Sequence, residues 1–142
     1  MPFITKRSDN LWHHGPTVDL IFVPPKSIAD QLKKEGKPIP MIKAIALIDT
    51  GASHTCISSN IVNGLSLLPY DVQEVHTAGG RVQQLIYDIG IITQISGNII
   101  LSTQAPCATM DEQPYQALLG RDILRHCSLH YNGADNSFSL YF

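Results

Sequence analysis

Ala44-Ile45-Ala46-Leu47-Ile48-Asp49-Thr50-Gly51-Ala52-Ser53 is the stretch on which the reading of this sequence turns. Five apolar residues in a row, Ala44 to Ile48, follow Lys43 and predict a short strand buried on both faces. At its exit stand a carboxylate, a hydroxyl and then a residue with no side chain. A carboxylate leaving a buried strand is anchored on a rigid element while its oxygens still reach a cleft. Gly51 lets the backbone turn and approach Asp49, where a Cβ would obstruct, and the Thr50 hydroxyl is able to fix the loop. Average composition alone yields an Asp-Thr-Gly in a chain this long at about 2–3%. The tripeptide also serves as a plain strand-to-turn exit, so it needs a companion.

The companion is Ala117-Leu118-Leu119-Gly120-Arg121-Asp122-Ile123-Leu124, a short apolar strand, a glycine and a helix start. Together the two segments resemble the retropepsin family, the retroviral-type aspartic proteases and their cellular and bacterial relatives. In that family an apolar-apolar-Gly segment threads beside the Asp-Thr-Gly loop, and Gly-Arg-Asp opens a helix. The resemblance covers about Trp12 to Phe142. It implies a mostly β fold: a closed pepsin-like β-barrel with one short C-terminal helix and a flap hairpin. Residues 1–142 would form a single retropepsin-like domain.

Bulk composition agrees with one globular domain long enough to bury a core: 142 residues, 44% hydrophobic and 15% charged. A net charge of −2 without a basic run argues against a nucleic-acid partner. No apolar run is long enough to span a bilayer. Met1-Pro2-Phe3-Ile4-Thr5-Lys6-Arg7 lacks the apolar region of a signal peptide, so a cytoplasmic protein is expected, with no membrane partner. Three cysteines, Cys56, Cys107 and Cys127, fit reduced thiols better than a disulfide framework.

Outward from the central motif, residues 1–10 read either as a loose tail or, by the resemblance, as an interface strand of a dimer. Thr17 to Val23 reads as a strand stopped by Pro24-Pro25. Ser27 to Gly36 reads as a helix capped by Ser27 and Asp30, with Ile28 and Leu32 on one face. It belongs to an insertion over 26–43 that exceeds the family's minimal pattern. His54 to Ser58 reads as a short returning strand, followed by a connection that turns at Asn63-Gly64. Val72 to Thr77 and Arg81 to Ile86 flank Ala78-Gly79-Gly80, a hairpin that resembles the flap. Strands over Ile89–Ile95 and Asn98–Thr103, joined at Ser96-Gly97, are expected as core and pocket wall. After the helix Arg121 to His126, a hairpin closes the chain on Leu140-Tyr141-Phe142, an apolar edge in want of pairing. The family supplies a partner for it by interleaving the C-terminal strands of two subunits.

Aspartic proteases cleave peptides with two carboxylates that share one proton: one acts as base toward a water, while the other polarises the scissile carbonyl. This sequence holds one Asp-Thr-Gly; Asp88, Asp111, Glu112 and Asp135 lack its context. A second Asp49 must come from a second subunit, and a two-fold homodimer brings the same residue to both sides of its axis. The resemblance therefore implies an aspartic endopeptidase with Asp49 catalytic and Thr50 and Gly51 in the active-site loop. Ala52, Ser53, Ala78, Gly79 and Gly80 would contact an extended peptide or protein substrate. No cofactor is required. Ile- and Val-rich walls predict apolar side chains flanking the cut. One departure concerns Arg121: several retroviral enzymes pair it with an acid four residues after the catalytic Asp, where this chain has Ser53.

Two other readings use the same residues. His54 with Cys56, or His126 and Cys127 with His130, invite a metal, but none has the doubled spacing of a structural zinc site, and no metal is expected. A pepsin-fold homodimer serving as a peptide-binding or assembly module with little or no turnover would keep both motifs, because a fold does not fix its chemistry. Against it, a carboxylate at the exit of a buried strand has no evident structural need.

Overall fold

The computed structural model describes residues 3–93 and 101–142; the turn expected at Ser96-Gly97 lies outside the described residues. The chain opens with β1 (Phe3–Arg7), α1 (Leu11–His14), β2 (Thr17–Val23), α2 (Lys26–Lys34) and β3 (Ile42–Ile48). There follow β4 (Cys56–Ile57), α3 (Ser59–Gly64), β5 (Asp71–Thr77), β6 (Gly80–Thr93) and β7 (Leu101–Pro106). The last third holds β8 (Ala117–Leu119), α4 (Arg121–Leu124), β9 (Ser128–Asn132) and β10 (Ser137–Tyr141). The protein is mostly β.

β3 is a paired inner strand: β2 runs antiparallel on one edge and β8 parallel on the other. β8 also pairs antiparallel with β4, so the three residues Ala117–Leu119 are threaded between β3 and β4. Both faces of β3 were expected to be buried. Instead the strand alternates, with Ala44, Ala46 and Ile48 inward and Ile45 39% exposed. The core covers one face of this sheet, and the period of two sends every second side chain out of it.

The long β6 is the spine of the remaining sheet. Gly90 and Ile91 pair with both β2 and β7, and Ile86 pairs with both β5 and β7. β5 and β2 therefore follow one another along one edge, and β7 takes the other. The expected closed barrel is not what the named strands form: their pairing is an open path from β4 to β5, with β7 on β6. A single isolated parallel bridge, Ile57 to Cys107, links β4 to the chain just beyond β7.

The smaller sheet places β10 between β1 and β9, both antiparallel to it. The apolar C-terminal strand, expected to be an edge, has a neighbour on each side within its own chain, and Phe138 and Leu140 join the core. One cluster of buried side chains, including Phe22, Ile57, Ile89, Leu119 and Leu140, connects the two sheets.

The helices differ from expectation in number and detail. Four occur among the described residues, rather than a single C-terminal one beside the insertion. α3 occupies what reads as a connection because Ile61 and Val62 reach the core, overriding the turn signal of Asn63-Gly64. α2 is preceded by Pro25 and has no side-chain cap; Asp30 pairs instead with Lys26 at 3.0 Å, one turn earlier. Its buried residue is Ala29, while Ile28 is largely exposed.

Candidate active site

The loop after β3 is fixed by backbone hydrogen bonds on both sides. The Ile48 N–H donates to the Pro16 carbonyl at 2.8 Å, and the Asp49 N–H donates to the Leu119 carbonyl at 3.0 Å. The parallel strand β8 thus sets the position of Asp49 directly. Beyond it, the Ala52 N–H donates to the Asp49 carbonyl at 3.2 Å, closing a tight turn. The Gly51 N–H donates to Asp49 Oδ1 at 2.9 Å, and a Cβ on Gly51 would lie 3.1 Å from that oxygen. A backbone donor on one oxygen orients the carboxylate. Oδ2 accepts no hydrogen bond among the described residues, and the side chain is half-buried. Thr50 and Gly51 are exposed at the tip.

The same loop caps α4. That helix has no side-chain N-cap; its first N–H groups, of Arg121 and Asp122, donate to the carbonyls of Ala52 and Ser53 at 2.9 and 3.2 Å. These orphan donors of a helix start are satisfied by the motif loop itself. Gly120 is required by contact: a Cβ there would stand 2.4 Å from the His54 carbonyl carbon and 2.7 Å from the Thr55 nitrogen, both backbone atoms unable to yield. Behind the loop, Asp122 Oδ1 accepts from the Thr55 N–H at 3.0 Å, the Thr55 hydroxyl at 2.8 Å and the Ile123 N–H at 2.9 Å. Its Oδ2 accepts from the Thr103 hydroxyl at 2.6 Å, and Thr55 Oγ1, fully buried, accepts in turn from the Gly120 N–H at 3.1 Å. Asp122 is thereby spent on structure. Arg121, deprived of its expected acid by Ser53, donates from its guanidinium to the Thr50 carbonyl at 2.7 Å.

A groove of about 310 Å³ begins at Gly51 and runs between this loop and the sheet opposite. Ala52, Ser53 and His54 form one wall, while Val75 and Ile86 of the β5–β6 hairpin and Pro106 of β7 contribute apolar surface to the other. The expected Ile and Val walls are only part of it, since Gln73, Gln84 and Gln104 also line the groove. Of the residues singled out in the sequence, Gly51, Ala52 and Ser53 come together at its mouth beside Asp49. Ala78, Gly79 and Gly80 do not line it: they form the exposed tip of the hairpin, whose stem supplies the wall. The glutamines, Thr55 and the structural role of Asp122 were not foreseen. The period of two puts Gln73 on one face with Val75, but Val72 and Val75 fall on opposite faces, so the sequence does not say which face turns inward.

Cys56 also faces the groove, and its Sγ–H donates to the His54 carbonyl at 3.6 Å. Burial first, then the negative charges of Asp122 and Asp49 and the neighbouring Cys107, push its thiol from 9.0 up to about 11. Burial alone raises Cys107 and Cys127. All three are free thiols, and a thiol so shifted is a poor nucleophile. Among the described residues no group of three or more His, Cys, Asp or Glu side chains is placed to hold a metal ion. No helix among them is long and apolar enough to cross a membrane.

A family model described as "gag-polyprotein putative aspartyl protease" matches residues 36–126, the span from the end of α2 through the Asp49 loop and the hairpin to α4. The chain belongs to this family. Its fold is similar to that of the EIAV protease solved in complex with the inhibitor HBY-793, with a TM-score of 0.57. That match covers 84% of this chain and 92% of the other at 20% identity, so it speaks for the retropepsin-like fold alone. No curated protein matches the chain.

Proposed function

We propose that the protein is an aspartic endopeptidase that works as a homodimer, with Asp49 of each subunit contributing one of the two acids. The observation that carries this reading is the state of Asp49. It is an oriented carboxylate with one oxygen held by Gly51, a residue that lines the groove, and the other unpartnered among the described residues. Asp122, the other acid close enough to act on the Cys56 thiol, has both oxygens already engaged, by Thr55 and Ile123 on one and Thr103 on the other. The exposed tip at Thr50 and Gly51 leaves room for a second loop to approach across a two-fold axis.

In such a pair the two carboxylates hold one proton between them, because like charges in contact resist double ionisation. The ionised Asp49 takes a proton from a water, which attacks the scissile carbonyl, and the protonated one donates to the developing oxyanion. The substrate lies extended, with backbone groups of Gly51, Ala52 and Ser53 on one side and the hairpin on the other. Ala78, Gly79 and Gly80 make that hairpin a flap whose tip folds over the bound chain and excludes water.

The test sets Asp49→Ala beside the wild type on a mixed peptide library read by mass spectrometry. Cleavage by the wild type alone is expected. The same cleavage from both proteins contradicts the assignment, and none from either favours a peptide-binding module over an enzyme.

A further inference from the structure

Three glutamines on three adjacent strands face one groove: Gln73 on β5, Gln84 on β6 and Gln104 on β7. Gln73 and Gln84 are direct register partners. Gln104 stands two residues before Pro106, which is opposite Ile86, itself two residues after Gln84. The period of two therefore turns all three toward the Asp49 loop along with Val75, Ile86 and Pro106. None of the three side-chain amides has a hydrogen-bond partner among the described residues. Among the described residues, no Asp, Glu, Lys or Arg lines this groove.

We infer that this groove is a specificity pocket for an uncharged amide side chain, glutamine or asparagine, close to the scissile bond. The inference rests on the endopeptidase reading of the same site. A glutamine side chain has an apolar stem that suits Val75, Ile86 and Pro106, and a carboxamide tip that both donates and accepts. Each pocket glutamine offers the matching acceptor and two donors. A bulky apolar side chain would displace water from these amides and return no hydrogen bonds, leaving polar groups unpaired in the closed complex. An acidic side chain would find no Lys or Arg, and a basic one no Asp or Glu, among the described residues that line the pocket. The Ser53 hydroxyl and His54 Nδ1 are already paired with each other at 3.0 Å, so the glutamines carry the selection.

The experiment uses the full chain and pairs of peptides identical except for Gln or Leu at one position near the cut, found first by library cleavage. Enrichment of Gln and Asn at one fixed position is expected for the wild type. Gln84→Leu, and likewise Gln73→Leu, should lower the Gln-over-Leu ratio of kcat/KM by roughly tenfold, the scale of about one lost hydrogen bond. Gln84→Glu, which keeps the shape and replaces donors by a charge, should shift preference toward Lys and Arg at that position. Cleavage by the wild type with Leu or Phe preferred there, or ratios unmoved by these substitutions, overturns the inference and leaves the endopeptidase standing. No cleavage of any peptide by the wild type overturns both.

Discussion

On one side of the groove, the Asp49–Thr55 loop is tied to β8 through Leu119, to α4 through Ala52 and Ser53, and to Asp122 through Thr55. On the other, the β5–β6 hairpin is held by its own ladder and, only at its base, by Pro106 and Cys107 against Ile86 and Leu85, with no strand beyond β5 among the described residues. Its outer face carries exposed Val72 and Leu85 and a single ion pair, Glu74 with Arg81 at 3.3 Å. The first wall is over-determined and the second lightly held. On the proposed mechanism Asp49 has to meet its twin within a fraction of an ångström, and a carboxylate with that task belongs on the first kind of wall. The glutamines proposed to read a substrate, on a hairpin proposed to move as a flap, belong on the second.

The contrast can be broken most forcefully at Asp122. Asp122→Ala strips the acceptor from the Thr55 N–H and hydroxyl, the Ile123 N–H and the Thr103 hydroxyl at once. Buried donors left unpaired cost more than an average hydrogen bond returns, so a loss of about 3 kcal/mol in denaturant unfolding is expected. A loss below about 1 kcal/mol, the value of one ordinary hydrogen bond, would mean that this network does not hold the loop.

Cys56, at the floor between the walls, sharpens the comparison through pH. Its thiol titrates near 9.0 in an unfolded chain and at about 11 in the fold. The neutral thiol is the form the fold favours. Its contribution to stability is therefore complete below pH 9 and is lost as pH climbs toward 11, because the unfolded chain then releases its proton first. Unfolding midpoints taken across that window should fall, and fall less steeply in Cys56→Ala. An unchanged slope in the variant would place the effect elsewhere.

The smallest effect is expected on the hairpin's outer face. Glu74→Gln removes an ion pair whose two side chains are mostly exposed, and such pairs contribute less than about 0.5 kcal/mol. A loss on the scale of Asp122→Ala would show the hairpin to be as firmly fixed as the loop, and the contrast would collapse.

What the sequence made legible follows the same division. The Asp49 loop and the Ala117–Leu124 segment were readable because strand, glycine and helix start are local signals, each tied to a steric or capping need. Gly120 and Gly51 sit where a Cβ would meet backbone or carboxylate. The pairing of β1 with β10 was not readable, since the partner of a terminal strand is chosen by tertiary contacts rather than by its own residues. α3 was hidden for a related reason: Ile61 and Val62 look like strand residues, and only their burial makes a helix worthwhile there. The glutamine wall depended on which face of an alternating hairpin turned inward, and that is decided by register with β7 and the loop.

The two-chain mechanism is tested most directly by mixing wild type with Asp49→Asn in rising proportion, unfolding and refolding the mixture, and measuring peptide cleavage per total chain. Only a pair of intact chains holds two acids, so activity should fall as the square of the wild-type fraction. Activity that falls in simple proportion to that fraction would mean each chain works alone, and would contradict the account.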